Sequence, residues 1–335
     1  MSTTPRAGRL AGLVVAICWL VVLFDGVDLF IYGAVLPGML DDPELGLTPA
    51  AAGGLGSYAT FGMLLGALAS GPLTDRIGRK KMIIAVPLVA RFLPESPSFL
   101  IARGRTDEAT AIATRYGVEV PTAAPARSSL ALLFAGGRWK QTVLFWCTSF
   151  GGLLLVYGVN TWLPTMMRAE GYDLGSALAF LIVINLGGIV GMLVAGRVAD
   201  RFGAVRVAAV WFALTAVGVY LLGVRTPLAV TYLIVFLAGV FLFSAQTMVY
   251  ATVTARYSTA NRATAVGSTA GIGRFGAVFG PWLGGQLVAS NNQGWGFTAF
   301  AVTAMLATIF ALLAGLAGGS KVEEEAPTAE PVAAH

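Results

Sequence analysis

Apolar residues along this chain run in blocks too long and too unbroken for the core helices of a soluble protein. A helix needs roughly 20 apolar residues to cross about 30 Å of hydrocarbon. Eight blocks reach that length: residues 12–38, 52–73, 141–164, 176–198, 205–224, 228–252, 264–288 and 295–318. A further run, 82–93, is too short. As a helix it would reach only about 18 Å, and it contains Pro87 and Arg91. The stretch 94–140 reads as a polar connector. Within it Ser96-Pro97 resembles a cap followed by a first-turn proline, and Thr106-Asp107-Glu108 opens a short helix with Arg115 in its last turn and Gly117 to stop it. Beyond Ser320 the chain turns acidic and then Ala/Pro-rich, which predicts disorder.

The pattern also repeats. Gly71-Pro-Leu-Thr-Asp75-Arg76-Ile-Gly78 matches Gly196-Arg-Val-Ala-Asp200-Arg201-Phe-Gly203, 125 residues later. At the same offset Tyr32-Gly33 pairs with Tyr157-Gly158, Gly62 with Gly187 and Gly66 with Gly191. A helix pair has been duplicated, as in transporters built from parallel repeats. Four apolar blocks follow the second copy and almost nothing follows the first. Glycine pairs spaced by four, Gly62/Gly66, Gly187/Gly191, Gly276/Gly280 and Gly280/Gly284, are expected to let helix backbones approach closely.

Composition fixes the class. Only 12% of residues are charged and 56% are hydrophobic, against roughly 25% charged in soluble domains. The net charge of +5 does not point to nucleic acid, because the basic residues sit in short loops. Arg76, Arg79, Lys80 and Lys81 follow the second block, Arg197, Arg201 and Arg206 surround the end of the fourth, and Arg256 and Arg262 follow the sixth. The opposite loops carry only Arg168 and Arg225. The positive-inside rule then predicts a multi-pass protein of the cell membrane with both termini cytoplasmic. The first apolar block is too long for a signal-peptide core, so no cleavable leader is expected. Cys18 and Cys147 lie inside apolar blocks and read as small buried side chains. His335, the last residue, is the only histidine. Histidine catalysis and histidine metal sites are not expected, and no nucleotide loop or Ser/His pair supports an enzyme or a cofactor.

Two groups of intramembrane charge are candidates for chemistry. Asp25 and Asp28 lie within the first block at i, i+3 spacing, on one helix face. Close carboxylates in a low-dielectric site do not both ionise easily, which makes the pair a candidate proton-binding site. Arg274 lies within the seventh block and keeps its charge, so it needs a carboxylate partner or a wet cavity. It reads either as an anchor for an anion or as a snorkelling, structural charge.

Gly71-x-x-x-Asp75-Arg76-x-Gly78-Arg79-Lys80-Lys81, with its partial repeat, resembles the loop motif of the major facilitator superfamily, and Pro94-Glu95-Ser96-Pro97 resembles the sequence after that family's sixth helix. Asp25-Gly26-Val27-Asp28-Leu29-Phe30, Tyr157-Gly158-Val159-Asn160-Thr161-Trp162-Leu163-Pro164, Asn185-Leu186-Gly187-Gly188 and Gly271-Ile272-Gly273-Arg274-Phe275-Gly276 resemble the aromatic acid:proton symporters, closest to benzoate-type carriers. The resemblance implies an all-α polytopic fold, but an incomplete one with about eight transmembrane helices where the family has about twelve. Residues 1–81 would be a truncated two-span bundle, 82–140 a cytoplasmic connector with the end of helix six, 141–318 a complete six-helix bundle and 319–335 a disordered tail. Most of helices three to six would be missing; removal of an even number of crossings preserves the charge topology.

The resemblance further implies proton coupling at Asp25 and Asp28. It places Arg274, Asn160, Trp162, Tyr157 and Asn185 around a small aromatic acid, with aromatic faces for the ring and amides for its polar substituents. Trp162 near Pro164 fits an interfacial belt equally well. Asp75, Arg76, Asp200 and Arg201 would belong to loops that help close the cytoplasmic side. The expected partners are a small aromatic acid, a proton and the bilayer, with oligomeric state open. The alternatives are a truncated, transport-inactive protein and a sugar or organic-cation facilitator.

Overall fold

The computed structural model describes residues 31–77, 100–101, 104–116, 133–134, 138–257, 259–290 and 293–317. Helix α1 is described over 31–41. It is followed by α2 (Pro49–Ile77), α3 (Thr106–Tyr116), α4 (Trp139–Ala169), α5 (Leu174–Phe202), α6 (Ala204–Leu222), α7 (Leu228–Arg256), α8 (Thr259–Ala289) and α9 (Gln293–Ala317). No strand occurs among the described residues. The short connector helix predicted at Thr106 is α3, and it ends one residue before Gly117. The tail beyond Ser320 predicted to be disordered and the run 82–93 lie outside the described residues.

Among the described residues five helices, α4, α5, α6, α7 and α9, are long and apolar enough to cross a membrane. Helices α2 and α8 hold the predicted blocks 52–73 and 264–288 and are as long, at 29 and 31 residues. Glycine makes up seven residues of α8. Those glycines are what place α8 inside the bundle.

Lipid tails are as apolar as leucine, so helices in a membrane are held by close packing rather than by escape from water. A methyl group at Gly276 would collide with the Phe150 carbonyl of α4, and one at Gly280 with the Leu154 carbonyl. Gly273 abuts Ser149, and Gly284 takes the Trp162 indole. Contacts that rise together in residue number on both helices mean that α4 and α8 run parallel. The same device joins α5 to α7: Gly187 and Gly191 lie against the Phe236 and Val240 carbonyls, and Gly239 lies against that of Ile184. Helix α5 begins at Asp173, whose carboxylate accepts from the Ser176 amide at 3.0 Å and hydroxyl at 2.6 Å. Those bonds hold the exposed Asp173 carboxyl below its ordinary range. Its capping is therefore complete above the unfolded value of about 3.9 and fades as pH falls through the lowered folded value.

Helices α1 and α2 dock on this bundle. Gly33 of α1 seats on the Asn160 carbonyl of α4. On α2, a methyl at Gly53 would come within 2.7 Å of the Pro281 carbonyl of α8. The buried Ser57 hydroxyl donates to the Val278 carbonyl at 2.8 Å. Tyr32 ties α1 to α2 by donating to the Ala52 carbonyl at 2.6 Å. At one end of the bundle Arg168 of α4 pairs with Asp41 of α1 at 2.7 Å.

One packing expectation is not met among the described residues. Gly62 and Gly66 were expected to admit a neighbouring backbone, as their repeat equivalents Gly187 and Gly191 do. Among the described residues nothing lies within 4 Å of a methyl added at either, and Tyr58, Phe61 and Leu65 beside them are exposed. The chain supplies α7 to cover the second copy and no described helix to cover the first.

This difference is testable. Gly187→Val forces a side chain onto backbone and should cost about 1–3 kcal/mol, read as a lower unfolding midpoint in detergent. Gly62→Val should leave the midpoint nearly unchanged. Equal losses at the two positions would mean that the α2 face is covered after all.

Candidate functional site

Polar side chains inside apolar helices must find partners, and the first partner available is the carbonyl one turn back. Asn160, on α4, donates from Nδ2 to the Val156 carbonyl at 2.8 Å. Asn185, on α5, donates from Nδ2 to the Leu181 carbonyl at 2.7 Å and to Asn160 Oδ1 at 2.9 Å. The two predicted amides thus meet and bridge α4 to α5. Asn160 is buried, with its carbonyl under Gly33. Asn185 is half-buried, and its Oδ1 accepts no hydrogen bond among the described residues. It shares its helix face with the exposed Ile182 and Ile189. An amide acceptor on an open apolar face at this depth is costly against lipid and suited to a polar ligand or water.

Tyr157 is half-buried one turn before Asn160 and is engaged by a neighbour. Trp162 is fully enclosed, and its indole N–H donates to the Pro281 carbonyl at 2.8 Å. It locks α4 to α8, neither standing at a water boundary nor facing open space.

Arg274 is half-buried on α8, between the packed Gly273 and the exposed Phe275. No ion pair or hydrogen bond reaches it among the described residues. Its level in the bundle follows from its neighbours. Gly273 and Gly276 touch Ser149 and Phe150, and Asn160 lies ten residues further along α4, about 15 Å at the helical rise. The predicted binding residues therefore occupy two levels, with Arg274 at one and Asn160, Asn185 and Trp162 at the other.

Asp25 and Asp28 lie outside the described residues. Asp75 and Arg76 fall in the last turn of α2, and their side chains lie outside them too. Asp200 and Arg201 are exposed in the last turn of α5, with the Arg201 guanidinium 5.4 Å from the Phe202 ring.

Sequence reading passed over Gln246. It is buried on α7 and donates from Nε2 to the Ser149 hydroxyl of α4 at 3.2 Å, with its Oε1 unpaired. A glutamine within the block 228–252 was the available signal. The Arg168–Asp41 pair was also passed over, because Arg168 read only as a loop charge.

The architecture is that of a polytopic helical membrane protein whose two leading helices pack on a six-helix bundle. The Major Facilitator Superfamily profile matches residues 82–267 and 182–334. The chain belongs to that family of transport proteins, which are not enzymes. It is 28% identical to the gentisate transporter of Corynebacterium glutamicum over 388 aligned positions, covering 90% of this chain and 86% of that one. It is 28% identical to the 4-hydroxybenzoate transporter PcaK of Pseudomonas putida over 417 positions, covering 90% and 92%. It is 25% identical to the benzoate transport protein of Acinetobacter baylyi over 414 positions, covering 90% and 88%. An alignment of 417 positions exceeds all 335 residues of this chain. The relatives therefore carry internal sequence that this chain lacks.

The amide bridge predicts energetic coupling. A double-mutant cycle of Asn160→Ala and Asn185→Ala in detergent unfolding should give a coupling of about 1 kcal/mol. Additive losses would show that the two side chains act separately.

Proposed function

We propose that this chain is built as a proton-coupled carrier of small aromatic carboxylates in the cell membrane, with both termini cytoplasmic. The observation that carries the reading is similarity along nine tenths of the chain to transporters of gentisate, 4-hydroxybenzoate and benzoate. The Asn160–Asn185 bridge fits it, because it leaves one amide acceptor free for a donor such as a phenolic hydroxyl. Arg274 supplies a cation without a described partner, for the substrate carboxylate or for an acid of the first span. The repeat offset matches Asp25 and Asp28 to Phe150 and Leu153, and α8 packs on α4 at Phe150 and Leu153 just where Arg274 leaves it. A proton on either aspartate would remove its negative charge before the carrier rocks. The helix ends at Asp75–Arg76 and Asp200–Arg201 are assigned to closure of the cytoplasmic side.

A second reading has its own support. The missing internal sequence and the open face at Gly62 and Gly66 favour a shortened protein that no longer transports. The gap is assigned to the region after Lys81, at the cost of most of helices three to six. A sugar or organic-cation facilitator is the weaker alternative, since a partly buried arginine disfavours a cation.

Uptake into proteoliposomes separates these readings. Labelled 4-hydroxybenzoate should accumulate faster as external pH falls, and Asp28→Asn and Arg274→Ala should each slow it by at least about tenfold, the loss of roughly 1.4 kcal/mol. Identical uptake with and without a proton gradient would remove the coupling. If this chain is inert while a version with four helices restored after Lys81 transports, the shortened form is inactive.

A further inference from the structure

At the arginine-rich end of the bundle, the turn between α5 and α6 and the last turn of α7 border an open cavity of about 330 Å³. Its polar wall is Arg206, from the first turn of α6, and Arg256, from the last turn of α7. No acid lines it. Thr252 contributes little polarity, since it is buried and its hydroxyl already donates to the Met248 carbonyl at 2.8 Å. Gly203, in the left-handed region at φ +88°, precedes α6 and provides no side-chain cap. The backbone at Ala204 and Val205 therefore adds positive potential to that of the guanidinium groups.

The rest of the wall is apolar, with Phe202, Val205 and Ala255. The apolar surface also continues away from the cavity. From Arg206, the exposed residues Val210, Leu214, Val217 and Leu221 follow α6 at spacings of four and three, which forms one stripe. A soluble anion has no use for that stripe. A molecule with a phosphate at one end and a hydrocarbon chain at the other matches both parts.

We infer that this cavity seats the phosphate of an anionic phospholipid. Arg206 contacts the phosphate, with the charge of Arg256 beside it, and an acyl chain runs along Val210, Leu214 and Val217. Basic pockets between transmembrane helices hold such headgroups by charge and are selective against zwitterionic lipids. The site is independent of the substrate assigned to the carrier.

The test is native mass spectrometry of the full chain in detergent, titrated with phosphatidylglycerol, phosphatidylcholine or glycerol phosphate. Phosphatidylglycerol should bind more tightly than phosphatidylcholine, and glycerol phosphate should not compete with it. Arg206→Gln should weaken phosphatidylglycerol binding about fivefold, the worth of one arginine near a charged surface. Arg206→Lys should retain most of it. Arg262→Gln, which removes an exposed charge outside the lining at the same end, should leave it unchanged. Equal loss in Arg206→Gln and Arg262→Gln would overturn the site in favour of general surface charge. Competition by glycerol phosphate, or equal binding of phosphatidylcholine, would overturn the lipid assignment. Arg206 is exposed, so its substitution leaves the fold in place, and gel filtration of each variant verifies this.

Discussion

Backbone-to-backbone approach between α4 and α8 is the constraint from which the rest of this structure follows. With no hydrophobic gain available between helices in lipid, contact at Gly276 and Gly280 lets dispersion and weak Cα–H···O contacts accumulate along the interface. That approach brings the Trp162 indole within reach of the Pro281 carbonyl. The opposite side of α8 then receives α2, through Gly53 and the Ser57 hydroxyl. Larger residues at these glycines would push α8 outward and take the docking surface for α2 with it. The two leading helices hold their place because α8 is narrow on both sides.

Much of this was legible in the sequence. The glycine spacing predicted close contact on α5 and α8, and the duplication predicted that α2 and α5 are equivalent helices. The equivalence fails where the surroundings differ. Ser57 and Leu64 of α2 are buried against the bundle, while Ile182 and Ile189, 125 residues later, are exposed. Gly187 and Gly191 are packed where Gly62 and Gly66 meet none of the described residues. Among the described residues each copy thus has one covered face and one bare face, and the bare faces are complementary in the repeat. A glycine pair in sequence encodes the capacity for close packing; the presence of a partner depends on helices elsewhere in the chain. The proposed place of the missing sequence, after Lys81, would account for the shortage on the α2 side.

The candidate site was less legible. Asn160 and Asn185 were named separately, and their hydrogen bond depends on the rotation of α4 against α5, which one-dimensional spacing does not fix. Trp162 had two sequence readings, both with one face in contact with something other than protein. Its N–H had a backbone carbonyl available across the Gly284 gap, and a buried donor takes such a partner. Gln246 went unnoticed because a single amide changes the hydropathy of a long apolar block very little.

The separation of Arg274 from the amide bridge bears on the proposed carrier. About 15 Å along α4 divides them, more than a single-ring acid spans, so one bound substrate does not touch both in this arrangement. On the proposed reading the two levels then serve different steps. The amide bridge, with one acceptor free, suits recognition of a hydroxylated ring. Arg274, level with the repeat equivalents of Asp25 and Asp28, suits the charge balance of protonation: an ionised aspartate offsets the guanidinium, and its protonation releases that cation for an anion. A substrate moving from one level to the other would exchange hydrogen bonding for charge pairing, and the direction of that exchange would follow the proton.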